Sequence, residues 1–205
     1  MKMLLNQVSG LFDDAGSTYV NYCKKKSKLV ERKIKPGHRI LDVGCGVIKN
    51  HRLCFDYLKN KGFNIKGVDK KPVRSMNIEK GSITSLRYKK NSFDVVVCLD
   101  VVEHIKDYKR AIRELERVAK KRVIIVTPVT KFNAMKRFMN WIRRNFGIDA
   151  IEGHYYEFFK KEIVSSFKKK ASAKVSYIPY PLPILSSFFH KTKILSSGVF
   201  VVDFL

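Results

Sequence analysis

Five positions in about the first third of the chain have the types and spacing to hold a small charged molecule. Asp42 is followed by Gly44-Cys45-Gly46, and a second acid, Asp69, stands about twenty residues beyond the glycines. Glycines at a turn accept positive φ and let the backbone approach a ligand closely. The free N–H groups of a helix starting after such a turn attract anionic or zwitterionic groups. A carboxylate at the end of the next strand accepts hydrogen bonds from both hydroxyls of a ribose, the task of the acid in a βαβ nucleotide site.

These residues need two strands and a helix to position them. Ile40-Leu41-Asp42-Val43 is a short apolar run with one acid, which predicts a buried parallel strand. The helix is predicted from about Lys49 to Lys61, with Leu53, Tyr57 and Leu58 as its apolar stripe and Lys61-Gly62 as its stop. Phe63 to Asp69 reads as the second strand. A dinucleotide fingerprint needs a third glycine where Lys49 stands, so a pyrophosphate ligand fits poorly. Phe93 to Asp100 is a nearly all-apolar strand, and it leads into Val101-Val102-Glu103-His104-Ile105. Tyr108, Ala111, Ile112, Leu115, Val118 and Ala119 recur at helical spacing, which predicts a helix over 108–120 with its stripe in the core. Arg122 to Pro128 reads as a fifth strand, and 174–180 and 199–204 as two last ones. Alternating strands and helices predict an α/β fold with ligands at the carboxyl ends of the strands.

Taken together, Asp42-x-Gly44-x-Gly46, Asp69 and the Phe93-Asp-Val-Val…Glu103-His104 segment resemble, in order and spacing, the class I S-adenosylmethionine (SAM) methyltransferases, in particular the type 11 quinone- and small-molecule-methyltransferase-like group. The resemblance covers roughly residues 38 to 130. Two positions depart from the family pattern: Ile48 replaces the last glycine of the loop, and Ser82 stands where an acid commonly meets the adenine amino group.

The resemblance implies a doubly wound Rossmann-like sheet of seven strands, mostly parallel with the last antiparallel, and helices on both faces. It implies SAM as cofactor and S-adenosylhomocysteine (SAH) as product, held by Asp42, Gly44, Cys45, Gly46, Asp69, Lys70, Ser82, Ile83, Leu99 and Asp100. It points to a single domain over 1–205, with cap helices in 1–38 and an acceptor lid in 131–160. In the cap, Leu11, Phe12, Tyr19, Tyr22, Leu29 and Val30 form the inner face, with Lys24–Lys28 outward. His104, just past the fourth strand, is the leading base, with Glu103 beside it and His154 helping to shape the acceptor pocket. A divalent ion at Asp100, Glu103 and His104 is a weaker alternative, and no metal is assigned.

The acceptor expected first is a small or lipid-like molecule, methylated at oxygen and carrying negative charge. An RNA or ribosomal-protein methyltransferase and a non-catalytic SAM-binding protein are the alternatives. The net charge of +24 favours anionic partners in general, whether nucleic acid, membrane surface or substrate, but the basic residues are scattered in short clusters. The place after the fourth strand reads Leu-Asp-Val-Val instead of the (D/N)-P-P-(Y/F) of base amino-methylation. Residues 131–146 make a basic amphipathic helix around Trp141, suited to packing, to a lid or to peripheral membrane contact. Four cysteines without C-x-x-C spacing predict reduced packing residues, and no run reaches the length of about 18 apolar residues that a membrane helix needs. A cytoplasmic location follows as an expectation.

Overall fold

The computed structural model describes residues 21–46, 53–71, 78–130, 160–169, 171–179 and 195–204. Residues 21–31 are helical (α1), and a turn then leads into β1, Ile40–Val43. The chain continues through α2 (Leu53–Asn60), β2 (Ile65–Asp69), β3 (Ile78–Lys80) and β4 (Phe93–Leu99). A 3-10 turn at Val102–His104 precedes α3 (Tyr108–Val118), β5 (Ala119–Thr130), α4 (Lys160–Val164), β6 (Ala171–Pro179) and β7 (Leu195–Phe204).

The strands form one seven-stranded sheet in the order β3-β2-β1-β4-β5-β7-β6. The first five pair in parallel, while β7 runs antiparallel to both β5 and β6. This is the doubly wound, Rossmann-like sheet that the sequence predicts, and its order reverses between β1 and β4. A cleft is expected at that reversal, because the connections on either side leave the sheet in opposite directions.

Strand residues alternate between two cores. Leu41, Val43, Val96, Cys98, Val123, Ile125, Phe200 and Val202 pack on one side with Ala111, Ile112 and Leu115 of α3 and Ile163 of α4. Ile40, Val95, Val97, Ile124, Val126, Val199 and Val201 pack on the other, against Tyr22, Cys23 and Val30 of α1 and Cys54 and Leu58 of α2. The period-two pattern explains why these strands read as continuous apolar runs.

Several boundaries differ from the sequence reading. The stripe of α3 stops at Val118, and Ala119 caps it in an extended conformation and opens β5. Ala119 pairs with Phe93, so the sheet captures a residue that helical periodicity alone assigns to the helix. The short edge strand β3 was not legible, since its three residues Ile-Glu-Lys carry no pattern. The last two strands begin earlier than expected, at Ala171 and Leu195, and the final helix is described only from Lys160. All four cysteines are buried free thiols. Among the described residues no helix is long and apolar enough to cross a membrane. The lid expected in 131–160, with His154, and the loop position Ile48 lie outside the described residues, apart from Lys160.

Candidate cofactor and methyl-transfer cleft

A cleft of about 230 Å³ opens at the carboxyl ends of β1, β2 and β4. Val68, Asp69, Lys70, Gly81 and Ile83 line one end, Val43 and Gly44 the middle, and Asp100, Val101, His104 and Ile105 the other.

The glycine turn is built by contact. Gly44 has φ +79° and donates its N–H to the Val68 carbonyl at 2.8 Å, tying the end of β1 to β2. A side chain there would collide with Val101. Gly46 lies so close to Asp69 that an added Cβ would fall 2.7 Å from Oδ2. Glycine is required at these two positions, one for its backbone conformation and one for its lack of bulk.

Asp69 ends β2 with its carboxylate at the cleft, and Oδ1 accepts the Lys71 N–H at 2.8 Å. Asp42 is buried behind the glycines. Desolvation, then the neighbouring Asp69 charge, pushes its carboxyl up to about 7. Burial likewise raises the Cys45 thiol above its usual range, so Cys45 serves as packing with a neutral side chain.

The loop after β3 is held by α3. Arg117 donates through Nη1 to the Tyr88 carbonyl at 2.6 Å and through Nη2 to the Leu86 carbonyl at 2.8 Å. Glu114 accepts the Leu86 N–H at 2.8 Å, and Arg110 Nε donates to the Thr84 carbonyl at 3.0 Å. Ile83 therefore reaches the cleft wall, while the Ser82 hydroxyl lies 2.9 Å from Thr84 Oγ1.

At the other end Asp100 follows β4 with φ +53°, an uncommon conformation for a side-chain-bearing residue, fixed by its N–H bond to the Val126 carbonyl at 2.8 Å. Its Oδ2 is ion-paired with Lys26 Nζ, and Oδ1 is buried without a partner. His104 closes the 3-10 turn and lines the cleft. Glu103, expected beside it in catalysis, is fully buried and does not line the cleft. Its Oε2 accepts from Thr127 Oγ1 at 3.0 Å, and Oε1 has no partner. Burial first, and then the Asp100 charge, hold the Glu103 carboxyl well above the usual carboxylate range. Glu103 thus keeps a proton inside the protein and supports the turn that carries His104. Leu99 packs half-buried against the α1 side of the sheet, away from the lining residues.

The outward assignment of Lys24–Lys28 is corrected at two positions, Lys26 and Ser27, which are buried. Lys24, Lys25 and Lys28 are exposed, but Lys26 is 4% exposed and reaches Asp100 beneath the helix. The signal was present: Tyr22, Lys26 and Val30 are spaced four apart, which puts Lys26 in the apolar stripe. Val101 and Ile105, also missed, flank the Val102–His104 turn, and nothing in sequence separates the cleft-lining Val101 from the fully buried Val102 beside it. Among the described residues no set of three His, Cys, Asp or Glu side chains converges as a metal site.

The cleft defines a nucleotide-type site of the class I methyltransferase kind. A family model described as a methyltransferase domain matches residues 17–169, so the chain belongs to the SAM-dependent methyltransferases. Norajmaline N-methyltransferase of Rauvolfia serpentina is 30% identical over 100 residues, 42% of this chain and 33% of that protein. The ubiquinone biosynthesis O-methyltransferase of Hahella chejuensis is 32% identical over 106 residues, 44% and 42% respectively. The chain thus spans less than half the length of these two curated relatives. Among solved structures, a methyltransferase in complex with the Haloferax volcanii Trm112 activator superposes with a TM-score of 0.66 at 13% identity, over 95% of this chain and 94% of that one. The magnesium protoporphyrin IX methyltransferase of Synechocystis, with SAH bound, gives 0.57 at 16% identity over 92% and 84%. These two likenesses concern the fold.

SAM is the cofactor of this family, and the residues present fit it. The Gly44–Gly46 turn is packed so closely that a Cβ would strike Val101 or Asp69, Asp69 offers a carboxylate to the cleft, and the buried Asp42 lies within electrostatic reach of Asp69.

Proposed function

We propose that this chain transfers the methyl group of SAM to a small, partly apolar acceptor at an oxygen atom. The observation that carries the reading is one continuous cleft that runs from Asp69 past Gly44 to Asp100 and His104. When bound, SAM supplies an electrophilic methyl group, so the protein's main work is to position the acceptor in line.

The chain's own residues divide that work. Asp69 takes the ribose hydroxyls, and the walls at Val68 and Ile83 hold the adenine side. Gly44 lines the cleft, with Asp42, Cys45 and Gly46 next to it in the same strand end and turn, and Lys70 stands exposed at the rim. At the far end His104 accepts the proton that a hydroxyl acceptor gives up as its oxygen is methylated. Val101 and Ile105 make that end apolar and exclude water from the reacting oxygen. A hydroxylated quinone or phenol fits such a wall, and the Hahella relative is named as an O-methyltransferase of ubiquinone biosynthesis.

The test is SAH formation from SAM with hydroxylated quinones, hydroxylated lipids and RNA offered separately. Turnover with the quinone or lipid set, reduced about a hundredfold in His104→Ala with SAM binding intact, is the expected result. Turnover only with RNA overturns the small-molecule assignment, and full activity of His104→Ala removes the base from His104.

A further inference from the structure

Basic clusters that stand far apart in sequence meet at one end of the fold. The turns leading into β1, β2, β4, β5 and β6 all lie at the amino end of the sheet, opposite the cleft. The last strand of that set points the same way as β5, because both are antiparallel to β7 between them. The turns comprise residues 32–39, 61–64, 87–92, 119–121 and 165–169, and all of these are described. They contain twelve Lys or Arg and no Asp or Glu. The cleft end, by contrast, carries Asp69 and Asp100.

Contacts tie the turns into one surface. Lys61 Nζ lies 2.7 Å from Glu31 Oε1 at the end of α1. Arg122 donates to the Lys33 carbonyl, and Asp94 accepts the Arg39 N–H at 3.0 Å while lying 3.0 Å from Lys121 Nζ. Lys169 Nζ donates to the Ala119 carbonyl at 3.0 Å and to Asn91 Oδ1 at 3.4 Å. The acids that touch these turns are taken up in the same way. Glu31, Asp94 and Glu116 are buried or half-buried in such contacts, and the exposed Glu79 is ion-paired with Lys66 at the sheet edge. Lys33, Lys35, Lys89, Lys90, Lys120 and Lys168 remain exposed. Lys33 and Lys35 belong to the α1–α2 layer, Lys120 to the sheet, and Lys89, Lys90 and Lys168 to the α3–α4 layer. The charge therefore covers an area and does not follow a single stripe.

This end fits a partner of dense negative charge, and its chemistry narrows which kind. Proteins that track a nucleic-acid strand use a groove with aromatic side chains on which bases stack. Among the described residues the exposed large hydrophobic side chain is Tyr177, toward the other end of β6. Lysines outnumber arginines nine to three in the five turns, and lysine is a hydrated point charge without the planar fork that grips phosphate. A layer of anionic headgroups needs neither groove nor stacking platform, because clustered lysines attract it by charge alone. We propose that the amino end of the sheet is a docking surface for an anionic lipid bilayer, held by lysine charge without insertion of apolar groups. Docked this way, the protein keeps its cleft open to solution at the opposite ends of the strands. The proposal needs the fold and not the methyl-transfer reading.

The experiment is co-sedimentation of the full chain with vesicles of phosphatidylcholine alone, or with about one third phosphatidylglycerol, at low and high salt. Two variants with the same change of net charge separate place from total charge. One carries Lys89→Glu, Lys90→Glu, Lys120→Glu and Lys168→Glu at this end. The other carries Lys24→Glu, Lys25→Glu, Lys109→Glu and Lys161→Glu, near the starts of α1, α3 and α4. Every replaced side chain is exposed, and a thermal melt checks each fold. The wild type is expected to bind the anionic vesicles at low salt, to ignore the neutral ones and to be released at high salt. The first variant binds at least about a hundredfold more weakly, and the second stays within about tenfold of wild type. Equal loss in the two variants, full binding by the first, or no binding by the wild type overturns the proposal. Should the first variant fail to fold, Lys89→Gln with Lys168→Gln replaces it: binding about fivefold weaker is expected, and unchanged binding overturns the proposal. Duplex RNA is then offered to the vesicle-bound protein at equal phosphate concentration. Retention on the vesicles is expected, and transfer to the RNA makes nucleic acid the partner and overturns the lipid assignment. SAM affinity unchanged by vesicles is expected of an open cleft, and its loss on vesicles overturns the orientation.

Discussion

At the scale of single residues, the cofactor end is set by contacts too close to tolerate change. Gly46→Ala pushes a methyl group against the Asp69 carboxylate, and weaker SAM binding with a small change in folding stability is the expected outcome of calorimetry and melting. Gly44→Ala meets both a φ of +79° and the Val101 side chain, so it lowers stability by about 1–3 kcal/mol as well. Asp42 carries a pH signature. Its carboxyl titrates near 7 in the folded protein, against 3.8 for an ordinary aspartate. The folded state therefore holds a proton that the unfolded chain has released between those values. Its contribution to stability is complete below about pH 4 and is lost as pH rises to about 7, at up to about 1.4 kcal/mol per pH unit. Denaturant titrations across pH 4–8 check this, and Asp42→Asn flattens the slope. A cationic cofactor favours the ionised form, so SAM binding tightens as pH rises through about 7 and releases a proton to the buffer. Asp42, Gly44, Gly46 and Asp69 were all legible in the sequence, because each is a residue type that few others replace at that spacing. Lys26 was not read correctly, since a run of lysines looks like a solvated face until one of them is placed on the buried stripe.

At the scale of elements, α3 does more than cover the sheet. Its amphipathic stripe makes the helix evident in sequence, yet the polar face carries the Arg117–Glu114 pair and Arg110 that hold the 81–92 loop through backbone carbonyls. Backbone partners leave no trace in sequence, which is why the loop's support was invisible while its position was not. Arg117→Ala removes donors to two carbonyls of that loop and is expected to cost about 1–3 kcal/mol in stability. It also weakens SAM binding, because Ile83 and Gly81 stand on the loop that Arg117 braces. Arg117→Lys, unable to reproduce the fork, recovers little of either. The 3-10 turn at Val102–His104 shows a similar division: the Glu-His dipeptide signals a site, but only the fold separates a buried Glu103 from a cleft-lining His104.

At the scale of the whole molecule, the doubly wound α/β sheet followed from the alternation of strands and helices, and the antiparallel β7 followed from family resemblance alone. Nothing in the local pattern of Leu195–Phe204 reports its direction. The net charge of +24 makes the surface attractive to anions. For an acceptor that carries negative charge, turnover falls as salt is raised through the range where the Debye length shrinks from about 10 Å to about 3 Å. A neutral analogue of the same acceptor lacks that dependence, and equal rates on the two forms at low salt count against an anionic acceptor.

The central claim, that the cleft between Asp69 and Asp100 holds SAM, has a direct test in calorimetric titration of SAM into wild type and Asp69→Ala. Micromolar binding by the wild type, weakened at least about tenfold in the variant while its melting temperature stays close to wild type, is the predicted result. Equal affinity of the two proteins, or no binding by the wild type at any pH between 6 and 8, contradicts the account.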